Sequence, residues 1–228
     1  VFVPSSDAEE ILKIGHALLQ EGLVVGTTGN VSVRRQDMGC ILITPSGVPY
    51  PDLQPQDLVL VDENGQRPDG KLRPSSEVLL HTAIYRHRQD VNGIIHTHSP
   101  FASVFAVNRK EIPPVLDEVA QLIGGSVQVA EYAPPGTPEL ADFAVSALRD
   151  RQAVLLANHG LVGVGSSLRD ALFVCQVVEK AAQVYLWAKL TGNPYIFNEE
   201  EVKELRRRFL KSYGQKNWEG KLTGEHFN

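Results

Sequence analysis

Short apolar runs, each closed within a few residues by Gly, Pro or Asn, constrain the fold of this chain more than any other feature. "GTTGNVSVR" passes from a Gly/Thr/Asn loop into alternating Val31 and Val33, and "CILITPSG" gives a second run that stops at a Pro-Ser-Gly turn. Connections this short leave no room for a crossover helix, so the two runs are expected to pair antiparallel. "DLVLVDENGQ" repeats the pattern, with Asn64-Gly65 as a hairpin-type turn. Further strands are expected in "VNGIIHTH", in "SVQVA", and on either side of Asn158-His159-Gly160 in "AVLLANHGLVGVG".

Helices fall between these runs. Ile11, Ile14, Ala17 and Leu18 recur at helical spacing behind the acidic start "SSDAEE". "RPSSEVLLHTAIYRHR" reads as a capped helix, "PFASVFAV" as a short one, and "PELADFAVSAL" as one with Pro138 near its start. "SLRDALFVCQVVEKAAQVYLWAKLTG" is a long helix ending at Gly192, and a charged, solvated helix fits the tail from about residue 198. Strands and helices mix without a strict βαβ rhythm, which favours a layered α/β domain with a largely antiparallel sheet. The 228 residues fit a single domain, 1–228, that carries this tail.

A formal charge of −5 lacks the basic footprint of a nucleic-acid binder. No apolar run approaches the roughly 20 residues of a membrane span, and no signal peptide is visible at the start, so a cytoplasmic protein is expected. Cys40 and Cys175 form no CxxC pattern and read as buried free thiols.

His96 and His98 in "GIIHTHSP" fall on one face of a strand, with Thr97 on the other. Alone, such a pair reads more readily as the polar end of a strand than as a metal clamp. His159, at the end of "AVLLAN" and before Gly160, is a third candidate, and three imidazoles with an open position make a catalytic type of zinc shell. Glu77, after Ser75 and Ser76, can complete the shell or act as a base; its plainer role is a first-turn helix charge. His81, one turn later, can reach a metal but reads better as a buried hydrogen-bonding residue. "GTTGN", "TPSG" and "PSSE" each place Thr, Ser or Asn beside Gly or Pro. Singly they are ordinary turns; converging, they can hold a phosphate without Lys or Arg. None matches a P-loop or GxGxxG pattern, so nucleotide binding is not indicated.

Taken in order, "GTTGNVSVR", "ITPSGVPY", "PSSEVLLH", "GIIHTHSP" and "LLANHGLVGVG" resemble the class II aldolase/adducin family, in its L-fuculose-1-phosphate aldolase branch, over about residues 7–191. The resemblance implies a three-layer αβα domain around a mostly antiparallel mixed sheet, and a homotetramer with active sites at subunit interfaces. It implies zinc, or another divalent transition metal, on His96, His98 and His159, with Glu77 at the metal as acid/base. It places a phosphate on Thr27 and Asn30, Ser46 and Gly47, and Ser75 and Ser76. The implied reaction is reversible cleavage of a ketose 1-phosphate to dihydroxyacetone phosphate and an aldehyde such as L-lactaldehyde.

Alternatives of the same fold are a sugar-phosphate 4-epimerase, a dehydratase, a decarboxylase or a non-catalytic adducin-like module. The related 4-epimerases commonly carry aspartate in place of Glu77, and non-enzymatic members lack the histidines that this chain retains. The chain departs from the branch in reading "IPPVLDEVAQLIGG", with Asp117 and Glu118, where a tyrosine is usual, and Pro135 where an aromatic residue precedes "GT". These changes bear on the aldehyde side of the reaction. Tyr132 is retained, and Tyr213 in the tail is a candidate for the phenol that serves that side.

Overall fold

A computed structural model describes residues 5–66 and 72–212. The elements run α1 (Ser5–Gln20), β1 (Asn30–Arg35), β2 (Cys40–Ile43), β3 (Val59–Val61), α2 (Val78–His87), β4 (Gly93–Thr97) and α3 (Pro100–Asn108). They continue through β5 (Gln128–Ala130), α4 (Pro138–Leu148), β6 (Ala153–Leu156), β7 (Gly160–Gly165), α5 (Leu168–Thr191) and α6 (Glu199–Ser212). The strands form one seven-stranded sheet in the order β3-β2-β1-β4-β7-β6-β5. Every neighbouring pair is antiparallel except β5 with β6, which α4 joins by a crossover.

The period-2 alternation divides the core into two halves. Val31, Leu42, Ile95, Leu155 and Leu161 pack on one side with Ile11 and Leu18 of α1, Phe105 of α3 and Val178 of α5. Ile41, Ile43, Ile94, Val154 and Val162 pack on the other with Leu80 and Ile84 of α2 and Leu140 and Leu148 of α4. These are the three layers of an αβα domain. β4 lies at the middle of the sheet and is buried along its whole length, so whatever its side chains carry is held on a rigid element.

One local expectation is met and two change. The Asn64-Gly65 turn forms as expected, with Asp62 Oδ1 accepting the N–H groups of Asn64 and Gln66 and the Asp62 N–H donating to the Gln66 carbonyl at 2.8 Å; residues 67–71, which follow it, lie outside the described residues. Cys175 is buried whereas Cys40, on the loop-side end of β2, is half-buried; both are free. The charged helix α6 is docked rather than fully solvated: Val202 is buried, and the Arg206 guanidinium donates to the carbonyls of Gln121 and Leu122, in a π-helical turn over Val119–Ile123.

Candidate active site

β4 sets the site. Its His96 is paired across the sheet with Asn30 of β1 on one side and Val162 of β7 on the other, and faces the α2 layer. The strand ends at Thr97; the His98 N–H donates to the Leu23 carbonyl at 3.1 Å. The Glu179 carboxylate then accepts the N–H groups of Phe101 and Ala102, both at 2.8 Å, fixing the start of α3. His159 arrives from the β6–β7 turn, where Asn158 takes a left-handed φ of 56°, a conformation asparagine tolerates. Two glycines allow these segments to meet. A Cβ on Gly160 would lie 2.2 Å from the Thr97 carbonyl oxygen, and one on Gly29, where φ is 74°, would lie 2.6 Å from that of His96.

The three imidazoles stand edge to face, with ring centroids 4.7 to 4.9 Å apart. One nitrogen from each lies within 4.8 Å of the others. His96 Nδ1 donates to the Leu161 carbonyl at 3.0 Å, which leaves the Nε2 lone pair facing the cluster, 3.0 Å from His98 Nε2. Burial depresses the pKa of all three histidines, that of His159 to about 4, so they are held in the neutral, ligating form. Glu77 precedes the first turn of α2 but caps nothing. Its carboxylate turns inward, with Oε2 3.2 Å from His96 Nε2 and Oε1 3.6 Å from His159 Nε2. Burial pushes the Glu77 carboxyl up; a proton taken by His96 or His159 in its place, and the Asn30 amide that donates to Oε2, hold it below the ordinary carboxylate range.

These residues fit a divalent metal. Imidazole nitrogens bound tetrahedrally at ~2.0 to 2.1 Å stand roughly 3.3 to 3.4 Å apart, close to the His96–His98 spacing. Among the described residues Glu77 Oε1 is buried with no hydrogen-bond partner, an acceptor turned toward His159 Nε2 at 3.6 Å.

A polar ladder stands behind the site. Asn30, Ser32 and Arg34 share one face of β1, and Glu77, His81 and Tyr85 recur every four residues at and along α2. Asn30 Nδ2 donates to Glu77 Oε2 at 2.9 Å, and Asn30 Oδ1 meets His81 Nε2. His81 Nδ1 lies 2.6 Å from Ser32 Oγ, and the Tyr85 hydroxyl 2.9 Å from the same oxygen. Burial lowers the His81 pKa to about 3, so it is neutral. Ser32 and Tyr85 were missed in the sequence. The signal was there, in polar residues at i, i+2 of a strand facing a second set at i, i+4 of a helix.

The three neutral loops also converge. Pro45 bridges Pro74, the Ser46 N–H donates to the Arg73 carbonyl, and the Ser75 N–H to that of Thr44, so "TPSG" and "PSSE" run side by side. The Asn30–Glu77 bond joins "GTTGN" to them. Thr27, Ser46, Gly47 and Ser76 are exposed, Ser75 is buried with its Oγ accepting the Glu77 N–H, and Gly47 takes a φ of 74°. Tyr132 is exposed, and Tyr213 lies outside the described residues.

A seven-stranded mixed sheet between helical layers, with three histidines at its centre that could hold a metal ion, is an α/β protein of the class II aldolase fold. Residues 9–186 match the family described as the class II aldolase and adducin N-terminal domain, and the chain belongs to that family. It is 38% identical over 209 residues to a 5-deoxy-D-ribulose 1-phosphate aldolase of Bacillus thuringiensis serovar kurstaki, covering 92% of this chain and 97% of that one. It is 38% identical over 208 residues to the L-fuculose phosphate aldolase of Escherichia coli K12, covering 91% and 95%. A solved L-fuculose 1-phosphate aldolase superposes with a TM-score of 0.88 at 37% identity, over 91% of this chain and 98% of that one.

Proposed function

We propose that this chain is a zinc-dependent aldolase that reversibly cleaves a ketose 1-phosphate, resembling L-fuculose 1-phosphate, to dihydroxyacetone phosphate and a short aldehyde such as L-lactaldehyde. The observation that carries the reading is the convergence of three neutral imidazoles and an inward carboxylate beside hydroxyl-lined loops. Held by His96, His98 and His159, with Glu77 adjacent, the metal would supply Lewis-acid stabilisation of negative charge developing at the substrate carbonyl.

The chain's own residues do the rest. Thr27 and Asn30, Ser46 and Gly47, and Ser75 and Ser76 frame the phosphate, so binding energy remote from the reacting carbons holds them in place. Breaking the C3–C4 bond leaves an electron pair at C3, and Glu77 delivers the proton that converts this fragment to dihydroxyacetone phosphate. In the aldol direction Glu77 removes the same proton. Tyr213 is assigned the proton on the aldehyde oxygen. A Schiff-base route has little support, because Lys110 and Lys180 are exposed and Lys180 is paired with Glu118 at 2.9 Å.

Assembly as a homotetramer, with the site completed at a subunit interface, is supported by Val184, Trp187 and Leu190, large apolar side chains exposed on α5. No helix among the described residues is long and apolar enough to cross a membrane, which accords with a cytoplasmic enzyme. An aldol screen tests the activity: dihydroxyacetone phosphate is offered with a panel of aldehydes, with and without zinc. Zinc-dependent ketose 1-phosphate formation is expected. Turnover of sugar phosphates without carbon–carbon bond formation would place the protein among the epimerases or decarboxylases.

A further inference from the structure

The two oxygens of Glu77 are not equivalent. Oε2 accepts a hydrogen bond from Asn30 Nδ2, whereas Oε1 is buried and has no hydrogen-bond partner among the described residues. A carboxylate only accepts, so Asn30 must present its NH2 group to Glu77 and its carbonyl to His81. His81 Nε2 must then carry the ring proton, and His81 Nδ1 must accept from the Ser32 hydroxyl. Tyr85, 2.9 Å from both Ser32 Oγ and the Ser32 carbonyl, closes the far end. Ser32 and His81 are fully buried, so no solvent competes for these bonds, and the donor order along the chain is fixed. Reversing any member would point two donors or two acceptors at each other.

We propose that His81, acting through Asn30, is a positioning residue that commits Glu77 Oε2 to the protein and leaves Oε1 as the oxygen that exchanges a proton with the substrate. The inference rests on the aldolase reading and assigns which atom works. In the aldol direction the C3–H bond of dihydroxyacetone phosphate breaks, an O–H bond forms at Oε1, and the electron pair stays on the substrate. In cleavage the proton returns from Oε1 to C3. Without the Asn30 clamp the carboxylate can rotate, and which of its oxygens meets the substrate is no longer fixed.

The test uses full-length, metal-loaded protein and reads the exchange of the C3 proton of dihydroxyacetone phosphate with deuterated water, alongside metal content. His81→Phe removes both hydrogen bonds; His81→Gln restores a donor toward Asn30 and an acceptor toward Ser32. His81→Phe should lower the exchange kcat about 10- to 100-fold, with KM and metal stoichiometry unchanged, and His81→Gln should recover most of that loss. Ser32→Ala, a smaller change, should lower kcat in the same direction if His81→Phe fails to fold. Equal rates in wild type, His81→Phe and Ser32→Ala, or no recovery with His81→Gln, would overturn the proposal. Nitrogen NMR of His81 gives an answer free of activity: the Nε2–H tautomer supports the relay and the Nδ1–H tautomer refutes it. A wild-type protein with no exchange but an Nε2–H His81 would sink the aldolase reading and leave the clamp standing.

Discussion

Gly160→Ala is the smallest change that should dismantle the histidine cluster. The added Cβ would lie 2.2 Å from the Thr97 carbonyl oxygen, 3.2 Å from His96 Cε1 and 3.3 Å from His98 Cδ2, against ordinary contact at 3.4 Å or more. The nearest obstacle is backbone of the central strand and cannot rotate away, so the β6–β7 turn must retreat by about 1 Å, roughly twice the ~0.5 Å that a working constellation tolerates. His159 moves with it. Overpacking of this kind costs about 1–3 kcal/mol, and each kcal/mol is worth roughly 2–4 °C in Tm at this size. Metal affinity should fall by at least about 10- to 100-fold, as for loss of a residue that orients a ligand. A competition titration with a chromophoric chelator measures the affinity, and thermal melting of the metal-free protein separates the packing cost. Wild-type affinity in a folded Gly160→Ala protein would refute the account of how His159 reaches His96 and His98.

Other perturbations separate the parts of the site. Glu77→Gln should lower the rate about 10²- to 10⁴-fold while the three histidines retain the metal, a combination read by kinetics and elemental analysis together. Ser46→Asp places a carboxylate on an exposed loop position, so phosphate repulsion should raise KM more than tenfold at unchanged Tm; an unaltered KM removes Ser46 from the phosphate site. Arg34→Met deletes a buried guanidinium that donates to the carbonyls of Tyr85, Arg88, Gln89 and Val91, and should destabilise the fold by about 3 kcal/mol in urea unfolding.

Much of this architecture is legible along the chain, for reasons that differ between residues. Ile41, Leu42 and Ile43, or Ile94 and Ile95, announce a sheet covered on both faces, because apolar side chains occupy both parities of the strand. His96, His98 and His159 stand out because polar residues ending such runs have to be satisfied by something. Asn30, Ser32 and Arg34 are harder to see. Their alternation with Val31 and Val33 looks like the solvent side of a two-layer sheet, and only α2, packed over it with His81 and Tyr85, turns that side into interior. The inward turn of Glu77 is half legible: a glutamate before a helix can serve its N-terminus or reach the histidines, and the tertiary approach of β4 selects the second. Asn64-Gly65 shows the converse: the turn is dictated locally, by Asp62 accepting the N–H groups of Asn64 and Gln66.

The central claim is a metal held by His96, His98 and His159 beside a working Glu77. Its most direct test is metal stoichiometry and dihydroxyacetone phosphate release, measured on the same preparations of wild type and His96→Ala before chelation, after it, and after zinc is restored. The account predicts about one metal per chain in wild type, loss of release on chelation, recovery with zinc, and neither metal nor release in a folded His96→Ala protein. Full release from metal-free wild type, abolished instead by borohydride trapping, would contradict it.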